Sequence, residues 1–183
     1  MSPINPFEEN LPKNQANYSP LTPLSFLTRT AEVFPERTAV IHGEIKRSWR
    51  ETLKRCTRLA SALKKKGVVQ GTTVSVMAPN VPELLEAHFG VLMTGGVLNA
   101  LNIRLEAETL AYILEHGECQ VLITDREFSP VIKKVLQQLE DPPLVIDIDD
   151  PMAEGGELLG EMDYEAFLKT GDENFEWNLP EDE

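Results

Sequence analysis

Apolar residues recur along this chain in two rhythms: short continuous runs, and stripes at helical spacing. Leu24, Leu27, Ala31 and Phe34 repeat every three or four residues behind Thr22-Pro23, a helix start with Thr as cap and Pro in the first turn. Phe34-Pro35 closes that helix. Thr38–Ile41 is a short strand, His42-Gly43 a turn, and Ile45–Arg47 the return strand of an antiparallel hairpin. Ser48 and Glu51 fit a capping box. The helix behind them runs to Gly67 with Leu53, Cys56, Ala60 and Leu63 on one face and most basic residues elsewhere, which suits packing on a sheet with a charged outer side.

From Val74 onward runs and stripes alternate. Val74–Met77 is a buried strand, followed by the turn Ala78-Pro79-Asn80. Asn80 is placed to cap the next helix, with Glu83 three residues on in a capping-box arrangement. Val81, Leu84, Leu85, His88, Phe89 and Leu92 form that helix's apolar face, so His88 is expected to be packed. Gly90 within the helix costs about 1 kcal/mol against Ala and is expected to permit close approach of a neighbouring element. Gly95-Gly96 ends the helix and Val97-Leu98 begins a second strand. A short helix over Leu110, Ile113 and Leu114, a strand over Gln120–Thr124, a helix started by Ser129-Pro130 and a strand over Leu144–Ile146 complete the series.

This alternation predicts an α/β fold: an open, mostly parallel sheet flanked by helices, with a small N-terminal hairpin. Three segments follow: a polar, Pro-rich extended arm over residues 1–20, an α/β unit over 21–150, and an acidic stretch over 151–183. Within the last, Met152–Met162 is expected as a loop and Tyr164–Leu168 as a short helical turn. No repeat of fixed period is present.

Charge adds little to the fold and narrows the partners. The 183 residues carry a net charge of −13, with a basic segment from Arg29 to Lys66 and an acidic one from Glu140 onward, where Lys169 is the only cation. An acidic chain argues against a nucleic-acid partner, and both charge runs are expected at solvated surface. No apolar run approaches the about 20 residues that span a bilayer. The N-terminus has no basic stretch followed by an apolar core, so no secretory signal is expected. Cys56 and Cys119 fit small buried hydrophobes in a reducing, cytoplasmic setting.

Catalytic motifs are missing. The loop after Met77 is Ala-Pro-Asn, without the glycines of a dinucleotide fingerprint, and neither a Walker A loop nor a GxSxG elbow occurs. No CxxC or Cys/His cluster suggests zinc. Asp147, Asp149 and Asp150 lack the rest of an EF-hand pattern and are expected in a solvated loop, not as metal ligands. His42, beside a glycine and without evident partners, is expected to be a turn residue.

The block from Val74 to Leu105 resembles the early N-terminal region of the AMP-dependent synthetases and ligases, the adenylate-forming acyl-CoA synthetases. The likeness rests on the strand Val74–Met77, Asn80 in the turn, Glu83 near the helix start, Gly95-Gly96, and Leu101-Asn102-Ile103-Arg104-Leu105 against the family's LN-x-R-L segment. The order of elements matches along nearly the whole chain, yet only about the first third of a family enzyme. The resemblance implies part of the large N-terminal domain of an ATP-dependent carboxylic (fatty) acid–CoA ligase. Such an enzyme forms an acyl-adenylate and then an acyl-CoA thioester, using ATP, Mg²⁺ and CoA. The family's phosphate loop, its aromatic-Gly-x-Thr-Glu segment and its C-terminal lysine are not in this chain. No catalytic residue is therefore expected here, and the chain alone is expected to be inactive. The resemblance carries over one residue, Arg104, as a contact to a CoA phosphate, chemistry that suits a guanidinium; Ile103 stands where many members have proline.

A different function class remains open on the residues alone. A stand-alone truncated relative would serve as a binding or interaction module and, exposing a surface normally covered, would tend to form homo-oligomers. A flavodoxin-like or receiver-like domain is disfavoured, because neither the hairpin nor the acidic tail has a place in one.

Overall fold

The computed structural model describes residues 22–177. The expected arm over residues 1–20 lies outside them, as do residues 178–183.

Helix α1 (Pro23–Val33) starts at Thr22, whose hydroxyl accepts from Leu24 N at 3.2 Å. Strands β1 (Thr38–His42) and β2 (Ile45–Ser48) pair antiparallel as a hairpin. Helix α2 (Trp49–Lys65) carries the full capping box: Ser48 Oγ accepts from Glu51 N, and the Glu51 carboxylate accepts from Ser48 N at 2.7 Å. This reciprocal pairing holds the Glu51 carboxyl below its ordinary pKa.

The remaining elements build a five-stranded sheet, β3 (Thr73–Met77), β4 (Val97–Ala100), β5 (Cys119–Asp125), β6 (Leu144–Ile148) and β7 (Met162–Asp163). Its spatial order is β4-β3-β5-β6-β7 and every pairing is parallel. The connections are α3 (Pro82–Gly90) with a 3₁₀ turn at Leu92–Thr94, α4 (Ala107–His116) and α5 (Ser129–Leu136). A last helix, α6 (Tyr164–Lys169), follows β7.

Both faces of the sheet are covered, which is why its strands are continuous apolar runs. On one face Val74, Val76, Val121, Ile123 and Ile146 pack with α2, α3 and α6. On the other, Met77 and Leu122 pack with Leu110 and Leu114 of α4 and Ile132 and Val135 of α5. A third, outer cluster joins Leu24 and Leu27 of α1 to Cys56 and Ala60 of α2 and to Met93. Each fully buried aliphatic or aromatic side chain contributes about 1.5–3 kcal/mol, so these layers account for the stiffness of the frame.

Some local expectations change. Helix α5 has Phe128 as its cap, and the Ser129 hydroxyl instead accepts from Glu157 N at 2.9 Å. The acidic stretch after Pro151 supplies core: Tyr164, Phe167 and Leu168 are buried in the cluster beneath α2. Asp163 caps α6 by accepting from Ala166 N at 2.8 Å. Gly90 does allow close approach, because a Cβ there would lie 2.9 Å from Leu59 Cβ on α2.

Candidate functional site

The chain steps outward from β3 to β4, then returns across β3 to β5. In open α/β sheets, ligands bind at the carboxyl ends of the strands flanking such a reversal. Here that crevice is bounded by the loop after β3 (Ala78–Val81) and the end of β5 at Asp125. A phosphate would need free backbone N–H groups at the start of α3. That start is built against anions. Val81, not Asn80, is the N-cap and makes no side-chain cap bond. Pro82 at the first helical position brings no N–H, and Glu83 in the first turn is buried. Glu83 does not close a capping box; it lies 3.5 Å from Arg47 and 3.9 Å from Arg55.

The aspartates at this edge are not a solvated loop. Asp147 is buried and accepts from Gly160 N at 2.6 Å through Oδ2. Asp150, also buried, accepts from Met152 N at 3.1 Å and lies 2.9 Å from His42 Nε2. His42 therefore has a partner 108 residues away in sequence, one that a local reading of its turn could not supply. Asp149 alone of the three faces solvent, paired with Arg126 at 3.0 Å. Asp125 is fully buried; its Oδ1 accepts from Glu127 N at 2.9 Å, while Oδ2 has no partner among the described residues. Burial, reinforced by the nearby Asp150 charge, pushes the Asp125 carboxyl above the usual range against the pull of that hydrogen bond. Among the described residues no three His, Cys, Asp or Glu side chains converge on a metal position.

The densest polar cluster lies behind this edge, between the hairpin, α2, α3 and α6. Glu86 is 1% exposed, and its Oε1 accepts from Arg47 Nη1 at 2.8 Å and Arg55 Nε at 2.6 Å. Its Oε2 accepts from Tyr164 Oη at 3.0 Å. Arg55 also forks onto Glu165, with Nη1 3.0 Å from Oε2. Burial drives the Glu86 carboxyl upward and the two arginines oppose it. Burial works against the Arg55 charge, but its bonds to Glu165 and Glu86 raise its pKa overall. Burial likewise lifts the Tyr164 phenol far above its ordinary value. Arg47 and Arg55, expected at solvated surface, are instead half-buried ties that join the hairpin and α2 to α3 and α6. Every group in the cluster is engaged with another, so it holds structure and offers no open valence to a substrate.

Helix α3 keeps its apolar stripe only in part: Val81 is buried and Leu84, Phe89 and Leu92 pack against the core clusters, but a second, acidic side is buried as well. Glu83, Glu86, Ala87 and Gly90 face the core, while Leu85 is 38% exposed and His88 is exposed. His88 is not packed; its Nδ1 lies 2.8 Å from Leu84 O. The burial of the acidic side follows from the two arginines beneath, which the two glutamates meet.

Arg104 sits in an exposed turn beyond the carboxyl end of β4, and its backbone N–H donates to Asn102 Oδ1 at 3.0 Å. Its guanidinium has no carboxylate partner among the described residues. Strands β3 and β5 separate β4 from β6, roughly 14 Å at about 4.8 Å per strand, so Arg104 and the aspartates do not form one site.

This frame, with its anion-rejecting switch point, matches the family model described as "AMP-binding enzyme" over residues 27–182. The chain belongs to the AMP-binding enzyme family. Among the family's curated members, it is 45% identical to the peroxisomal acetate/butyrate–CoA ligase AAE7 of Arabidopsis thaliana, over 96% of this chain and 33% of the relative. It is 44% identical to the acetate–CoA ligase CCL3 of Humulus lupulus, over 96% and 33% respectively. The chain thus spans about a third of the length of the curated relatives it matches. The fold is shared with the anthranilate–CoA ligase AuaEII solved with anthranoyl-AMP, at TM-score 0.77 and 22% identity over 85% of this chain and 29% of that one. It is also shared with the N-terminal domain of FACL13 from Mycobacterium tuberculosis, at TM-score 0.68 and 22% identity over 87% and 37%.

Proposed function

We propose that this chain is the N-terminal scaffold of an AMP-forming carboxylic acid–CoA ligase. The observation that carries this reading is the family match over residues 27–182, set beside relatives named as CoA ligases that run about three times as long. The whole enzyme converts a carboxylate and ATP·Mg²⁺ to an acyl-adenylate and pyrophosphate. CoA thiolate then displaces AMP to give the thioester. The substrate class is a short aliphatic fatty acid, since the relatives are named for acetate and butyrate.

The residues of this chain do not fit ATP·Mg²⁺. The start of α3 has Pro82, which brings no N–H, and buried Glu83, and the acidic side chains of the carboxyl edge do not converge on a metal position among the described residues. The chain's role in catalysis is therefore to hold a sheet edge in place, with nucleotide chemistry performed by groups outside it. CoA is different: Arg104 is exposed, cationic and at the carboxyl edge, where it contacts a phosphate of the CoA nucleotide. Residues 21–150 form the subdomain, and the acidic stretch 151–183 leads toward the nucleotide-binding region with α6 anchoring its middle on the sheet.

Both cysteines are free thiols, as suits a reducing compartment, and the cytoplasm is proposed. No helix among the described residues is long and apolar enough to cross a membrane.

The test is a chimera in which this chain replaces the N-terminal third of the Humulus lupulus acetate–CoA ligase. Acetate-dependent thioester formation by the chimera, with none from the 183-residue chain alone, supports the scaffold reading. A cooperatively folded chain, joined to a chimera without activity, would instead favour a stand-alone binding module.

A further inference from the structure

The outward face of α3, the start of α1 and the hairpin enclose an apolar groove of about 560 Å³. Pro23, Val40, Ile41, Leu84, Leu85 and Phe89 line it, and Ile41 and Leu85 are 68% and 38% exposed. Its polar groups are few: the Asn80 amide at one end, His88 with Nδ1 against Leu84 O, and His42 with Nε2 against Asp150. No carboxylate, lysine or arginine lines it. A small ligand would find few convergent polar groups to fix its orientation, whereas an apolar stretch of polypeptide needs none.

We propose that the chain's own N-terminal segment, residues 1–21, docks in this groove, with Tyr18 and Leu21 as its apolar anchors. Connection favours it first. Pro23 lines the groove while Leu24 and Leu27 are buried, so the preceding residues begin at the rim. Length favours it next. The groove follows α3 from Val81 to Leu92, about 17 Å at the helical rise, and an extended segment covers that in about five or six residues. Tyr18 and Leu21 fall within that reach. Composition agrees. Pro3, Pro6, Pro12 and Pro20 bring no N–H that would need an acceptor in a mostly apolar wall, and Ile4, Phe7 and Leu11 offer further apolar contacts. Covalent tethering presents this occupant at about millimolar effective concentration, ahead of any partner at cellular levels.

The experiment uses the full 183-residue chain with Tyr18 replaced by p-benzoylphenylalanine, irradiated and mapped by mass spectrometry. The expected result is an intramolecular cross-link to the peptide carrying Leu84, Leu85 and Phe89, at a yield that does not change on dilution. Leu85→Asp, at a half-exposed position, should lower that yield about tenfold, corresponding to about 1.4 kcal/mol of docking. Cross-links between two copies, cross-links elsewhere on the chain, or a yield unmoved by Leu85→Asp would each overturn the proposal. If Leu85→Asp perturbs folding, as circular dichroism would show, the position of the cross-link in the parent chain decides alone.

Discussion

Arg55 and Glu86 meet across the α2–α3 interface, Nε to Oε1 at 2.6 Å, with Glu86 fully enclosed. The pair explains why α3 buries its acidic side and leaves Leu85 and His88 at the surface. A carboxylate that accepts from two arginines and a tyrosine leaves little freedom for the helix to rotate.

Removing Glu86 should therefore cost far more than a surface charge. Glu86→Ala leaves two largely buried guanidiniums without their shared acceptor, and a loss of about 3–5 kcal/mol is expected. Tyr164→Phe removes one hydrogen bond and should cost about 0.5–1.5 kcal/mol, less than the charged change. Urea unfolding followed by far-ultraviolet circular dichroism measures both.

Gly171 is expected to tolerate no side chain. A Cβ there would sit 2.0 Å from the Arg58 backbone oxygen on α2, while the neighbouring Asp172 N–H donates to Ser61 Oγ at 3.0 Å. Gly171→Ala must push the end of the chain off α2, at a cost of about 1–3 kcal/mol or more. Thermal unfolding of the variant should show a lowered midpoint, with faster proteolysis after residue 171.

Asp125 sets a pH dependence with a definite sign. Burial raises its carboxyl above the unfolded value, so the native state holds that proton more tightly than the unfolded chain. The resulting stability is fully present below the unfolded pKa of about 3.9 and is lost as pH rises through the folded value. Asp125→Asn keeps an oxygen for Glu127 N–H and removes the titration. The variant should equal or exceed the parent in stability at neutral pH, and the difference should shrink on acidification, as urea midpoints across that range would show.

The layered frame was legible because its signals are local. Strand runs at Val74 and Gln120, the Thr22 cap and the Ser48–Glu51 box each act within a few residues, and the parallel sheet follows from their alternation. The orientation of α3 was not legible. Its stripe at Val81, Leu84, Leu85 and His88 has helical spacing, but burial is decided by Arg47 and Arg55, which lie 39 and 31 residues before Glu86. His42 and Asp150 escaped for the same reason: their pairing spans 108 residues. The core contribution of α6 was masked by acidic neighbours, although Tyr164, Phe167 and Leu168 at helical spacing are the one signal that pointed to it.

Arg104 offers a way to separate the two half-reactions. In the chimera, Arg104→Gln should raise the KM for CoA by roughly 10–100-fold, the loss of one charge-assisted hydrogen bond of about 1.5–3 kcal/mol. Acetate-dependent pyrophosphate exchange, which needs no CoA, should be unchanged. Equal losses in both steps would place Arg104 in the scaffold and away from CoA.

Carboxylate-dependent ATP–pyrophosphate exchange by the purified 183-residue chain tests the central claim most directly. With acetate or butyrate as substrate, the chain alone should give no exchange above background, and the chimera should restore it. Exchange catalysed by the 183 residues alone would contradict the account, because it would require a nucleotide site in a frame whose α3 start rejects anions.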